Sequence, residues 1–173
     1  MARLANLRDK DHYPSLWDLM TKSLPTLPTS RPHVFRTFKQ YTGLSDSDAR
    51  LALRYVLPPI IRVTKLPRGT YGNFPSSGDL IQLHWGFVAN VDSAHREGFV
   101  GPLALLEAKI LHEMVHWGWY RVNLSSREPR SKHGFADFAW DFEKAAWGKP
   151  QTVASTGLSR VIPDSWGGEP ANR

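Results

Sequence analysis

The feature that most constrains this chain is the string His112-Glu113-Met114-Val115-His116, which lies inside the mainly apolar segment 107–120. Residues four apart lie one above the other on a helix, so a helical segment places both imidazoles on the same face. Two imidazoles at this spacing can bind one zinc ion, and Glu113 lies at the edge of that face, within reach of a water molecule on the metal. The spacing therefore predicts a zinc site with Glu113 as its general base.

The residues around this string predict a buried helix, which Pro102 starts. Buried histidine and glutamate side chains need polar partners, and a metal ion is one such partner. Lys109 and Tyr120 share the face of the two histidines. We assign Lys109 no role from the sequence. The candidate donors for stabilising a transition state are Tyr120, Tyr71, His84 and His133.

Composition limits the remaining possibilities. The chain has 173 residues with an apolar fraction of 41%, which is enough for one globular domain. It has no cysteine, so a zinc ion must be held by histidine and carboxylate side chains. The net charge of +6 comes from scattered basic residues without a nucleic-acid-binding motif. We therefore expect a monomer that binds no nucleic acid, has no membrane span and carries no signal peptide.

The order of the predicted elements indicates an α+β fold. Helices interrupted by proline come first, a small antiparallel or mixed sheet follows, and the motif helix and a second C-terminal helix come last. Four consecutive parts are expected within a single domain, residues 1–173: helical residues 1–59, the sheet in 60–100, the zinc-site helices in 101–148 and a tail at 149–173.

Two strands are predicted ahead of the motif helix. The first is 60–66, and the second is 80–91, where apolar and polar residues alternate and Gly86 is expected to form a bulge. A free strand edge beside the motif helix could pair with an extended peptide and align its scissile bond at the metal.

Catalytic zinc usually has three protein ligands, so a third must lie downstream. A histidine six residues after His116 is excluded, because that position is Val122. The candidates are His133, Asp137, Asp141 and Glu143.

Segment 134–147 is predicted to be the second C-terminal helix. On it Asp137 and Asp141 fall on the polar side, whereas Glu143 is the only charge in an apolar sector. A buried carboxylate needs a cation, which favours Glu143 as the third ligand. Asp137 and His133 remain alternatives.

Two motifs carry a family resemblance. His112-Glu-Met-Val-His116-Trp117-Gly118 and Phe142-Glu143-Lys-Ala-Ala-Trp147-Gly148 resemble the zinc metallopeptidase effector domains that form tails of type VI secretion spike proteins or free-standing bacterial toxins. Tyr71-Gly72-Asn73-Phe74 is similar to their upstream region, so the resemblance covers residues 60–148. It implies a zincin-like fold, Zn²⁺ bound by His112, His116 and Glu143, and Glu113 as the general base.

A related zincin class uses the aspartate of a Gly-Thr-x-Asp pattern as third ligand. Gly134-Phe135-Ala136-Asp137 keeps the glycine and the aspartate but lacks the threonine, so Asp137 remains an alternative to Glu143.

The function expected from motif and resemblance is a zinc metallopeptidase that is secreted as an antibacterial toxin and cleaves peptide bonds in the periplasm of target bacteria. Its expected partners are a peptide or protein substrate, a cognate immunity protein and a secretion spike or carrier protein. Two alternatives remain: a hydrolase of cell-wall peptide (peptidoglycan) and a non-catalytic binding domain stabilised by zinc.

Overall fold

The structure is a computed structural model that describes residues 3–4, 9–54, 59–75, 78–125, 127–135 and 137–153. Helices and a small mixed sheet make it an α+β protein, as predicted. Most of the predicted tail, residues 154–173, lies outside the described residues.

The N-terminal part consists of short helices, of which α2, α3 and α4 have a proline at one of their first two positions. A proline in the first turn costs no hydrogen bond, because that N–H has no helical partner, and this explains the starts of α2, α3 and α4. Gly43 adopts a φ of 71° and ends α4, and Ser45 starts α5 by accepting a hydrogen bond from the Asp48 N–H at 3.1 Å. The elements are α1 (Asp9–His12), α2 (Pro14–Asp18), a π-helical turn (Leu19–Ser23), α3 (Leu24–Ser30), α4 (Pro32–Thr42) and α5 (Asp46–Leu53).

The sheet has the order β1-β2-β4-β3 within the described chain. β1 pairs with β2 and β2 with β4 in parallel, whereas β3 pairs with β4 in antiparallel orientation. β3 is therefore an edge strand, and the sheet is mixed. The strands are β1 (Arg3–Leu4), β2 (Ile60–Thr64), β3 (Gly72–Asn73) and β4 (Leu80–His84).

The predicted strand 80–91 is wrong beyond His84, where β4 ends and α6 (Trp85–Arg96) begins. Gly86 lies in the first turn of α6 and forms no bulge. His84 starts this helix, because its Nδ1 accepts a hydrogen bond from the Gly86 N–H at 3.1 Å. The buried residues after it have helical spacing: Phe87, Val88, Val91, Asp92 and Ala94.

The two helices that carry the motifs are α7 (Gly101–Asn123) and α8 (Ala139–Trp147). α7 begins with Pro102 in its first turn, as predicted. The predicted start of the second helix at residue 134 is wrong, because α8 begins only at Ala139. The Asp137 carboxylate accepts hydrogen bonds from the N–H groups of Ala139 at 2.9 Å and Trp140 at 3.2 Å, which satisfies the start of α8.

α7 occupies the centre of the molecule and packs against α4, α6, α8 and the strands β3 and β4. It approaches α4 very closely at Gly118, where an added Cβ would lie 2.6 Å from the Cβ of Thr42. Among the described residues, no helix has the combined length and hydropathy of a membrane span.

Candidate metal site

His112 and His116 of α7 lie close to Asp137, and all three line a cleft beside α7. One ligand atom of each lies within 4.8 Å of the other two. The His112 Nε2 atom is 3.5 Å from Asp137 Oδ2, and the His116 Nε2 atom is 3.8 Å from Asp137 Oδ1. Two imidazole nitrogens and a carboxylate oxygen in this arrangement could hold a metal ion.

The other nitrogen of each imidazole meets a carboxylate. His112 Nδ1 lies 2.8 Å from Glu143 Oε1, and His116 Nδ1 lies 2.6 Å from Glu128 Oε1. Such an outer carboxylate fixes the ring orientation and makes the Nε2 atom the one available to a metal. Both rings therefore direct Nε2 toward Asp137.

Glu143 lies behind His112 and does not belong to the His112, His116 and Asp137 group. Its side chain is fully buried, as the sequence argument requires, and the cation it meets is the ammonium of Lys109 at 2.8 Å. Its second oxygen accepts a hydrogen bond from the Gln151 N–H at 2.5 Å.

The sequence analysis placed Lys109 on the face of the two histidines without giving it a role, and it missed Glu128. A cation on the otherwise buried motif helix was the signal that Lys109 has a specific partner. Glu128 lies in the segment between α7 and α8, and no local pattern distinguishes it from its neighbours.

Glu113 lies in the cleft as the motif requires and is only 6% exposed. β3 approaches it so closely that a Cβ added to Gly72 would lie 2.8 Å from the Glu113 Cγ and 2.9 Å from its Oε1. Burial raises the pKa of the Glu113 carboxyl above its usual value, although the two histidines oppose this shift. A raised pKa suits a group that takes up and returns a proton near neutral pH.

The charges of the site depend on one another. Burial alone would lower the pKa of His112, but the carboxylates of Asp137 and Glu143 outweigh it and raise this pKa to about 10 when no metal is bound. Burial likewise opposes the ionisation of Asp137, yet His112 and His116 hold its pKa below the usual range. A metal ion binds neutral imidazole. It would therefore take the place of the proton on His112 Nε2, the nitrogen that faces Asp137.

The cleft around these groups has a volume of about 310 Å³, within the range of ligand-binding pockets. Of the four candidate transition-state donors, Tyr71 lines it. Tyr120 instead packs against Phe74, with ring centroids 5.7 Å apart, His84 starts α6, and His133 is exposed. The cleft is lined by residues 69–74, by Lys109, His112, Glu113 and His116 of α7, and by Glu128, Asp137 and Trp140.

The fold and this geometry define the class: an α+β protein in which two imidazoles and a carboxylate could hold a metal ion beside a buried glutamate. The model of a family described as metallopeptidase toxin 3 matches residues 9–148, and the chain belongs to this family. The match begins well before residue 60, so it includes the N-terminal helices as well as the site. Comparisons with curated proteins and with solved structures found no match.

Proposed function

We propose that this chain is a zinc-dependent peptidase with a zincin-like fold. Its metal ligands would be His112, His116 and Asp137, and Glu113 would be the general base. The observation that carries the proposal is the convergence of the three ligand atoms within 4.8 Å, with each histidine held at Nδ1 by a carboxylate. Two imidazoles and one carboxylate, without thiolate, are typical ligands of catalytic zinc.

The third ligand is proposed to be Asp137 and not Glu143. The Asp137 carboxylate faces both Nε2 atoms, which are the nitrogens left available by Glu143 and Glu128. Glu143 has both oxygens engaged, by Lys109 and His112 on one side and by the Gln151 N–H on the other.

The proposed reaction is hydrolysis of an amide bond. When bound, a zinc ion would polarise the scissile carbonyl and lower the pKa of a water molecule. Glu113 accepts the proton of the attacking water as the new C–O bond forms, and delivers it to the nitrogen as the C–N bond breaks. The burial that raises the pKa of Glu113 helps it perform both steps.

An extended peptide is the proposed substrate. β3 pairs only with β4 among the described residues, and its residues Gly72 and Asn73 line the cleft. A peptide that added to this edge would be held by main-chain hydrogen bonds, whatever its side chains. Peptides of the cell wall are the second candidate substrate, because the net charge of +6 favours association with an anionic cell envelope.

The proposed biological role is that of an antibacterial toxin that acts in the periplasm of target cells. The family description supports the toxin role, and the resemblance to spike-linked effector domains supports delivery by a dedicated secretion system. A cognate immunity protein would protect the producing cell.

The test combines metal content with toxicity. Purified wild-type chain is compared with Asp137→Asn, Glu113→Gln and Glu143→Gln for zinc content by elemental analysis, and for growth inhibition on expression in the bacterial periplasm. We expect stoichiometric zinc in the wild type, loss of zinc and toxicity in Asp137→Asn, and retained zinc without toxicity in Glu113→Gln.

Two results would overturn parts of this proposal. If Asp137→Asn keeps its zinc and Glu143→Gln has none even in excess zinc, Glu143 is the ligand. If Glu113→Gln remains as toxic as the wild type, the domain uses its metal for stability and not for catalysis.

A further inference from the structure

Lys109 is a buried cation that the proposed reaction does not use. It lies on α7 one turn before Glu113 and is only 3% exposed. Its Nζ atom lies 4.0 Å from the centre of the Trp140 ring and 5.6 Å from that of Tyr71. A lysine is almost never fully buried unless it is paired, so a specific partner is required.

That partner is Glu143, and the contact reaches the metal site. Glu143 Oε1 lies 2.8 Å from the Lys109 Nζ and also 2.8 Å from the His112 Nδ1. One oxygen of Glu143 therefore contacts both the buried ammonium of Lys109 and the Nδ1 atom of His112, a proposed metal ligand. The same carboxylate is held from its other side by the Gln151 N–H.

We propose that Lys109 and Glu143 form a charge-neutral buried pair that positions His112 for the metal. Glu143 is the positioning residue and acts on the metal through His112, whereas Lys109 offsets the buried charge of Glu143 and thereby stabilises the fold around it. The inference rests on the proposed function because it requires His112 to be a ligand.

Among the described residues, no lysine or arginine forms an ion pair with Glu128, the carboxylate that contacts His116. Glu128 bonds to the His116 Nδ1 but is 26% exposed, so water can stabilise the charge. Glu143 is fully buried, so water cannot stabilise its charge. The Lys109 ammonium balances this charge and allows the carboxylate to lie beside the Nδ1 atom of His112.

The two members of the pair should affect metal affinity in opposite directions. The Glu143 carboxylate favours a cation at the far side of the imidazole, whereas the Lys109 ammonium repels it. Loss of the outer carboxylate of a histidine ligand typically weakens metal binding about 10–100-fold. A pair with only a structural role would give weaker binding in both variants, in proportion to their lost stability.

The experiment uses the full chain with Lys109→Met, Glu143→Gln and the double variant. Zinc dissociation constants are measured by competition with a chelator, and the absorption spectrum of bound Co²⁺ reports the ligand geometry. Thermal unfolding of the metal-free proteins reports stability. Glu128→Gln, alone and with Lys109→Met, is the matched control at the other histidine.

We expect Glu143→Gln to bind zinc about 10–100-fold more weakly with an altered Co²⁺ spectrum, and Lys109→Met to bind it at least as tightly as the wild type. Each single variant should unfold at a lower temperature than the double variant, which contains no unpaired buried charge. The effects of Lys109→Met and Glu128→Gln on stability should add.

The inference is overturned if Glu143→Gln binds zinc like the wild type, or if Lys109→Met weakens binding as much as Glu143→Gln does. If a single variant does not fold, the double variant decides, because it lacks the anion behind His112 and must bind zinc more weakly than the wild type. If the wild type has no affinity for zinc, the proposed function itself is refuted. The experiment therefore distinguishes failure of the proposed function from failure of the inference about Lys109 and Glu143.

Discussion

At the scale of single residues, the contact between Gly72 and Glu113 leaves no room for an additional atom. Glu113 is confined between α7 and the edge strand, and Gly72 is the residue against which its side chain lies. Any other residue at position 72 would place a Cβ inside the contact distance of the Glu113 side chain. The glycine therefore determines where the proposed general base, Glu113, can lie.

We predict that Gly72→Ala lowers the free energy of unfolding by about 1–3 kcal/mol, because the added methyl overpacks this contact. The loss should be much smaller in a Glu113→Ala background, where the crowded atoms Cγ and Oε1 are gone. Urea unfolding of the four proteins measures both values. Equal losses in the two backgrounds would show that Gly72 is required for another reason.

At the scale of elements, the change from β4 to α6 depends on His84. His84 is the last residue of β4, and its ring accepts a hydrogen bond from the Gly86 N–H, which starts the helix. Histidine is a rare helix start, so the sequence carried no usual signal there. The strand pattern of Ile81, Leu83 and Trp85 consequently looked longer than it is.

This start should make stability depend on pH. Burial lowers the pKa of His84 below its unfolded value of about 6.5. The unfolded chain therefore binds a proton more readily, so this contribution is complete above pH 6.5 and is lost as the pH falls through and below that value. A protonated Nδ1 also cannot accept the Gly86 hydrogen bond.

Urea unfolding at pH 7.5 and 5.5 measures the effect, with His84→Asn as the control, because asparagine can start the helix without titrating. We expect the wild type to lose more stability than His84→Asn over this interval. Identical losses in the two proteins would assign the pH dependence to other groups.

At the scale of the whole molecule, the proposed ligands connect parts that are distant in sequence. α7 supplies the two histidines, and the turn before α8 supplies Asp137. α7 also belongs to a hydrophobic core that contains residues from the N-terminal helices, the sheet and the segment after α8, up to Val153. A metal ion bound here would therefore stabilise the native chain and not only its site.

We predict that zinc raises the unfolding temperature in a concentration-dependent manner. At a free zinc concentration 100 times the dissociation constant the stabilisation is about 2.7 kcal/mol, which corresponds to roughly 5–10 °C for a chain of this size. Differential scanning calorimetry with and without a chelator measures it. His116→Ala should show no rise, and an unchanged wild type would contradict metal binding.

The sequence alone predicted several features that depend only on local spacing. The i, i+4 histidines, the apolar run around them and Pro102 predicted α7 and the pairing of His112 with His116. The β-branched run at residue 60 located β2, alternation of apolar residues located the beginning of β4, and the order of the elements indicated an α+β domain. These features depend on neighbours within one or two helical turns, which the sequence displays directly.

Only the tertiary structure shows that Asp137 and Glu143 lie on different sides of the His112 ring. The argument that a buried Glu143 must meet a cation was sound. Its Oε1 atom lies 2.8 Å from both the Lys109 Nζ and the His112 Nδ1, and no local pattern states which cation a buried carboxylate will meet. The path of the chain before α8 brings Asp137 opposite the Nε2 atoms, and the packing of α8 on α7 brings Glu143 to the Nδ1 side. Ring orientation and chain path are properties of packing, so sequence spacing could not determine them.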